Sequence, residues 1–143
     1  MSATIDVNVL IYATNEADPA HGAARKLLDR LAAGPDLVYL FWPTIMGYLR
    51  IVTHPAILPR PLPFADATAN IAALLSRPHI RTAGEAPGFW PMYLATARVH
   101  ARGNDVPDAH LVALMRQHGV SAIYTRDRDF RAYDGIGVRD PFV

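Results

Sequence analysis

The sequence predicts an α/β fold with a mainly parallel central sheet flanked by helices. Two observations carry this. Short runs rich in β-branched and aromatic residues alternate along the chain with longer segments whose apolar residues recur at helical spacing. Strands that alternate with helices of this length belong to sheets whose neighbours run parallel. The 143 residues, 51% hydrophobic and only 19% charged, suit one compact domain over 1–143 with a sizeable core, and argue against disorder.

Residues 2–6 read as a first short strand, feeding the apolar run TIDVNVLIYA (4–13), whose own element the pattern leaves open between strand and helix. PAHGAARKLLDRLAAG (19–34) sets Ala20, Ala24, Leu27, Leu28 and Leu31 at helical spacing, with Pro19 suited to a first turn and Gly34 to a stop. DLVYLFW (36–42) is a strand, and Pro43 opens a second helix, PTIMGYLRIVTH. Four prolines between 55 and 63 mark a loop. A third helix is expected from Phe64 to Ser76, a short strand at HIRTA (79–83), and a fourth helix from Pro87 to Ala101. DVPDAHLVALMRQHG (105–119) is a fifth helix, VSAIYT (120–125) a strand, and GIGVRDPFV holds a last short strand.

Composition narrows the chemistry. There is no cysteine, so disulfides and thiolate-held zinc are excluded. MSATID has no basic flank and no long apolar stretch of a signal peptide, and every apolar run is broken by Pro or charge before it reaches membrane-spanning length. The expectation is a cytoplasmic protein without membrane attachment. The net charge of +1 gives no overall basic field, yet the cations are 13 Arg against one Lys, Lys26. Arginine suits bidentate phosphate contacts, although a GC-rich genome, which also favours Ala, Gly and Pro, explains the bias as readily. The histidines offer no H-E-x-x-H pattern; His110 and His118 are eight apart.

Asp6 is the residue that asks for an explanation. A carboxylate inside an apolar run needs a partner for its charge. In parallel sheets, sites form beyond the carboxyl ends of the strands. Asp6 falls there after the first strand, and Asp127 and Asp129 fall there after VSAIYT. Asp108 lies in the first turn of the fifth helix, on the same stripe as Leu111, Val112 and Met115. Each alone has an ordinary use: Asp108 complementing a helix dipole, Asp127 and Asp129 capping turns. Together they form a like-charge cluster that a hard divalent cation, Mg²⁺ or Mn²⁺, would relieve.

The motifs IDVNVLIYA, GYLRIVTHP (47–55), VPDAHLVAL (106–114) and YTRDRDF (124–130) resemble, in order and over nearly the whole chain, the PIN-domain family, and within it VapC-type ribonuclease toxins of toxin–antitoxin pairs. The resemblance implies a PIN-like three-layer fold and a metal-dependent endoribonuclease. It implies Asp6, Asp108 and Asp127 as acids holding Mg²⁺ or Mn²⁺, Asp129 as a further acid, and Asn8 and Thr125 as polar residues lining the site. It implies a small VapB-type antitoxin as partner and RNA as substrate, and we expect a homodimer. Arg50, Arg126 and Arg128 are candidate phosphate contacts, with an ion-pair role for Arg50 equally open. One departure stands out: Gly47-Tyr48-Leu49-Arg50 occupies the place of an E-x-x-R pattern, keeping the Arg and losing the Glu. It supports an alternative, a degenerate PIN domain that binds RNA or an antitoxin without cutting. Phosphatase chemistry of the haloacid-dehalogenase type is disfavoured because Asn8 stands where its second Asp is needed.

Overall fold

The computed structural model describes residues 2–143. Five strands form one sheet: β1 (Ser2–Ile5), β2 (Leu37–Phe41), β3 (Ile80–Ala83), β4 (Ala122–Tyr124) and β5 (Gly137–Arg139). Their order is β3-β2-β1-β4-β5, and every neighbouring pair is parallel. Six α-helices connect them among the described residues: α1 (Val7–Thr14), α2 (His21–Ala33), α3 (Trp42–Val52), α4 (Phe64–Leu75), α5 (Phe89–Thr96) and α6 (Asp105–Gln117). A 3₁₀ turn, Arg128–Ala132, follows β4.

Strand alternation divides the core into two halves. On β2, Val38 and Leu40 face one side with Leu10, Leu27, Ile45, Ile71 and the rest of α1–α4. Tyr39 and Phe41 face the other, with Val112, Met115 and Tyr93 of α5 and α6. A strand buried on both faces reads as a continuous apolar run, as LVYLF does. Helices on both faces of the sheet give the expected three layers.

The apolar run after Asp6 resolves as a helix. β1 passes into α1 across a single residue, Asp6, which has extended backbone at the helix N-cap. Val9, Leu10, Ile11 and Ala13 are buried, and only Asn8 of the first turns is exposed. The run is apolar nearly all round because α1 packs against both α2 and α3. α2 begins at His21 rather than Pro19, since the backbone N–H of Ala20 is taken by the Asp18 side chain at 2.8 Å in a turn. α5 is shorter than its apolar pattern suggests: it ends at Thr96, and residues 97–104 turn before α6 starts.

The strand order reverses direction at β1. The chain builds outward from β1 through β2 to β3, then crosses back to place β4 on the other side of β1. The crevice beyond the carboxyl ends of β1 and β4 is therefore the topological switch point, where parallel sheets place their sites. No described helix is long and apolar enough to cross a membrane.

Candidate active site

Four aspartates meet at the switch point. Asp6 follows β1, its backbone N–H donating to Tyr124 O at 3.0 Å, so the ends of β1 and β4 are tied together. Thr125 follows β4 and is wholly buried. Its hydroxyl donates to Asp6 Oδ2 at 2.7 Å and accepts from the backbone N–H of Asp127 at 2.9 Å. Asp127 caps the 3₁₀ turn, its Oδ1 accepting from the N–H of Asp129 at 2.9 Å. Asp108 reaches the same spot from the first turn of α6.

One carboxylate oxygen each from Asp108, Asp127 and Asp129 lies within 4.8 Å of the others. Asp108 and Asp127 are half-buried and Asp129 is exposed. Asp6 is not one of this close trio; it is buried, with one oxygen given to Thr125, which also holds the backbone of Asp127. The capping use of Asp127 and its place in the acidic group are thus compatible: one oxygen holds the turn while the carboxylate remains in the cluster.

The electrostatics carry the strain of this arrangement. Burial raises the Asp6 carboxyl above the usual carboxylate range; the Thr125 hydroxyl pulls it back, the Asp127 charge raises it again, and the N–H groups of Asn8 and Val7 at the start of α1 lower it. Asp108 is pushed up to about 6, by burial first and then by the charges of Asp127, Asp6, Asp129 and Asp105. Four neighbouring acids acting in one direction on Asp108 describe a site short of positive charge.

The model for the PIN domain matches residues 3–136. The chain belongs to the PIN-domain family. Ribonuclease VapC48 of Mycobacterium tuberculosis is 57% identical to it over 143 residues, covering 99% of each chain, so this is a VapC-type PIN domain. Among solved structures, the sarcin–ricin-loop-cleaving toxin VapC20 of M. tuberculosis superposes with a TM-score of 0.66 at 21% identity, over 91% of this chain and 93% of that one. VapBC2 of Rickettsia felis, solved on a DNA fragment of its promoter, gives 0.67 at 12% identity, over 97% and 98%. Both share the fold.

The other expected residues of this PIN domain fall in different places. Asn8 is exposed in the first turn of α1, one residue from the buried Val9. Gly47 faces Val7: a Cβ at Gly47 would meet Val7 Cγ2 at 3.6 Å, an ordinary contact. The position of the absent glutamate therefore borders the residue next to Asp6. Arg50, in the last turn of α3, is exposed and forms no ion pair among the described residues. Arg126 is held between two rings, 5.1 Å from the Tyr12 centroid and 4.8 Å from that of Phe142, so its guanidinium already has an aromatic bracket. Arg128 lines a cleft of about 280 Å³ beside the acids, together with Arg98, Asp105, Asp108, Asp129, Ala132 and Tyr133. His110 turns away from the acids and pairs with Glu85 at 2.6 Å.

Three of these cleft residues, Arg98, Asp105 and Tyr133, were not singled out from the sequence. Arg98 lies in an irregular connection, and Tyr133 follows the 3₁₀ turn, so neither had a periodic signal to mark it.

Proposed function

We propose that this chain is the toxin of a type II toxin–antitoxin pair and acts in the cytoplasm as a Mg²⁺- or Mn²⁺-dependent endoribonuclease. The observation that carries the reading is the cluster of Asp108, Asp127 and Asp129 at the switch point of a PIN fold, with the buried Asp6 tied to it through Thr125 and Asp108 pushed up to about 6 by burial and by the neighbouring acids. The donor set suits a hard cation: all are carboxylates, and no histidine or cysteine competes. Asp108, Asp127 and Asp129, each with an oxygen within 4.8 Å of the others, would hold such a cation, which keeps several of its waters.

Asp108 and Asp127 are the acids we assign to direct ligation, with Asp6 joining them from β1 and Asp129 at the exposed edge. When bound, the cation polarises the scissile phosphodiester and lowers the pKa of a water. Thr125 fixes the Asp6 carboxylate and the backbone of Asp127 at once, so two acids from different strands keep one geometry. Asp129, the most exposed of the four, orients the attacking water and receives its proton. Hydrolysis leaves one fragment with a phosphate and the other with a hydroxyl.

The partner is a small VapB-type antitoxin that restrains this activity, and the toxin pairs with a second copy of itself. Two apolar segments are candidate docking surfaces: MGYLRIV (46–52) exposes only Met46 among its large hydrophobics, while GFWPMYLATA (88–97) exposes Trp90 and Leu94 one turn apart. A larger recess of about 550 Å³ opens between α1, α2, α3 and α4, with Leu10, Leu28, Ile71 and Leu74 as apolar walls and Arg25 and Arg77 among its charged lining. It suits an amphipathic helix. Co-expression with a VapB-type antitoxin, taken from a short reading frame next to this gene if one is found there, followed by gel filtration, tests the pairing; independent elution of the two chains counts against it.

Incubation of the purified chain with mixed RNA, with Mg²⁺ or Mn²⁺ and with EDTA, tests the activity. Cleavage abolished by EDTA supports the reading. Binding without cleavage at any metal concentration replaces it with the degenerate-PIN alternative that Gly47 favours.

A further inference from the structure

The cleft beside the acids is lined by groups of both charges. Asp108 and Asp129 belong to the acidic cluster; with Asp105 beside them, they share the lining of about 280 Å³ with Arg98 and Arg128. Arginines next to carboxylates ordinarily close ion pairs with them. Here neither Arg98 nor Arg128 comes within ion-pair distance of an acid among the described residues, and neither guanidinium makes a protein hydrogen bond there. Two unspent guanidinium groups therefore line a cavity that already borders the reaction centre.

Tyr133 is the third element. The residue is 7% exposed and belongs to the core cluster that holds Ala109 and Phe130, yet its hydroxyl finds no partner in the described protein and is not sealed from solvent. It lines the cleft as a free donor.

The cleft is braced. Arg116 of α6 donates through Nη1 to Thr96 Oγ1 at 3.1 Å, at the end of α5 just before Arg98. Through Nη2 it donates to Asp134 O at 2.9 Å, just after Tyr133. The connection bearing Arg98 is further tied by Arg102 N–H to Asp105 Oδ2 at 3.3 Å. One buttress thus joins the segment that carries Arg98 to the segment that carries Arg128 and Tyr133.

We propose that this cleft seats the nucleotide flanking the scissile bond, with Arg98 and Arg128 gripping its phosphate and the Tyr133 hydroxyl donating a hydrogen bond to it. The assignment rests on the ribonuclease reading above. It gives the active site a cationic handhold that the acids lack: the acids hold the cation, and the arginines hold the chain that is cut. Guanidinium forks match phosphate oxygens bidentately, and a nucleotide held at one side of the scissile bond fixes the reacting phosphate in register.

The test is binding of a fluorescein-labelled, mixed-sequence single-stranded RNA, followed by anisotropy across a salt series with Ca²⁺ in place of Mg²⁺, for wild type, Arg98→Gln, Arg128→Gln and Tyr133→Phe. Both arginines are exposed, so their replacement leaves the core intact; thermal melts verify it. Each arginine variant is expected to bind about tenfold more weakly, the scale of one charge-assisted hydrogen bond. Its log–log salt slope should shrink by about 0.7, the signature of one lost contact to a single strand's phosphate. Tyr133→Phe should weaken binding a few-fold and leave the slope unchanged. Wild-type affinity and slope in both arginine variants overturn the proposal. If wild type still cleaves RNA with Mg²⁺ in that case, only the cleft assignment falls and the ribonuclease reading stands. If wild type neither binds nor cleaves RNA, both fall together.

Discussion

Thr125 Oγ1 sits 2.7 Å from Asp6 Oδ2 and 2.9 Å from the backbone nitrogen of Asp127, donating to the first and accepting from the second. One hydroxyl thereby joins the acid at the end of β1 to the acid at the end of β4. It is also the hydrogen bond that offsets part of the burial raising Asp6.

Thr125→Val keeps the shape and removes both bonds. The Asp6 carboxylate and the Asp127 N–H would each lose a partner in a buried or half-buried setting. Stability should fall by about 1–3 kcal/mol, the cost of leaving such groups unsatisfied. RNA cleavage should fall with it. Thr125→Ser restores the hydroxyl and should recover most of both losses. Urea unfolding and a cleavage assay on the three proteins check this; a Val variant as active as wild type would reduce Thr125 to packing.

The position of Asp108 makes the metal-free protein unusual in its response to acid. Its carboxyl goes from the ordinary 3.8 when unfolded to about 6 when folded. Between those values the folded state binds more protons than the unfolded state, so stability falls as pH rises through this window. The Asp6 shift runs in the same direction. In EDTA, the melting temperature of wild type should therefore rise relative to that of Asp108→Asn as the pH is lowered from 7 to 4. With Mg²⁺ present the same acidification should weaken metal binding, because protons compete for the ligand. Parallel pH profiles for the two proteins in EDTA would show that Asp108 is not strained.

Gly47 invites the reverse experiment. The space beyond it is open enough for a Cβ, with Val7 Cγ2 as its neighbour at 3.6 Å. Gly47→Glu should therefore fold, with a small gain from replacing glycine inside α3. Its side chain would leave α3 on the side that faces Val7, the residue that follows Asp6 in the chain. We expect tighter Mn²⁺ binding by calorimetric titration and activity at or above that of wild type. A drop in melting temperature with no change in metal affinity would show that the glutamate clashes and that this position is irrelevant to the site.

Much of this architecture was legible because its signals are local. Val38–Tyr39–Leu40–Phe41 reads as a two-sided buried strand, and the spacing from Asp108 to Val112 and Met115 assigns Asp108 to the inner stripe of α6; the helix packs that way. The element after Asp6 was not legible, since VNVLIYA is apolar on every side and has neither the period of a surface helix nor the alternation of a strand. Tertiary packing between α2 and α3 decides it. The acids were visible because charges in apolar or strand-end positions are conspicuous. The cleft as a whole was not, because Arg98 is a lone arginine in an irregular connection, 30 residues from Arg128, and only the fold, with Arg116 tying the two segments, brings them to one cavity.

Asp108→Asn tests the centre of the site. The amide keeps the shape of the carboxylate and removes one negative charge from a cluster where four acids oppose it. Metal affinity should fall, because a neutral amide oxygen is a weaker ligand for a hard cation. RNA cleavage should fall by at least about a hundredfold, the scale of losing a group that stabilises the transition state. Stability without metal should hold or rise, since a like-charge repulsion is relieved. A carboxylate serving only the helix dipole in the first turn of α6 predicts the opposite: cleavage little changed, and a lower melting temperature from the lost interaction with the N-terminus. Cleavage with Mg²⁺ or Mn²⁺, an EDTA control and metal-free melts separate the two. Undiminished, EDTA-resistant cleavage by the Asn variant would remove Asp108 from the metal site, and with it the reason for four aspartates to share one end of the sheet.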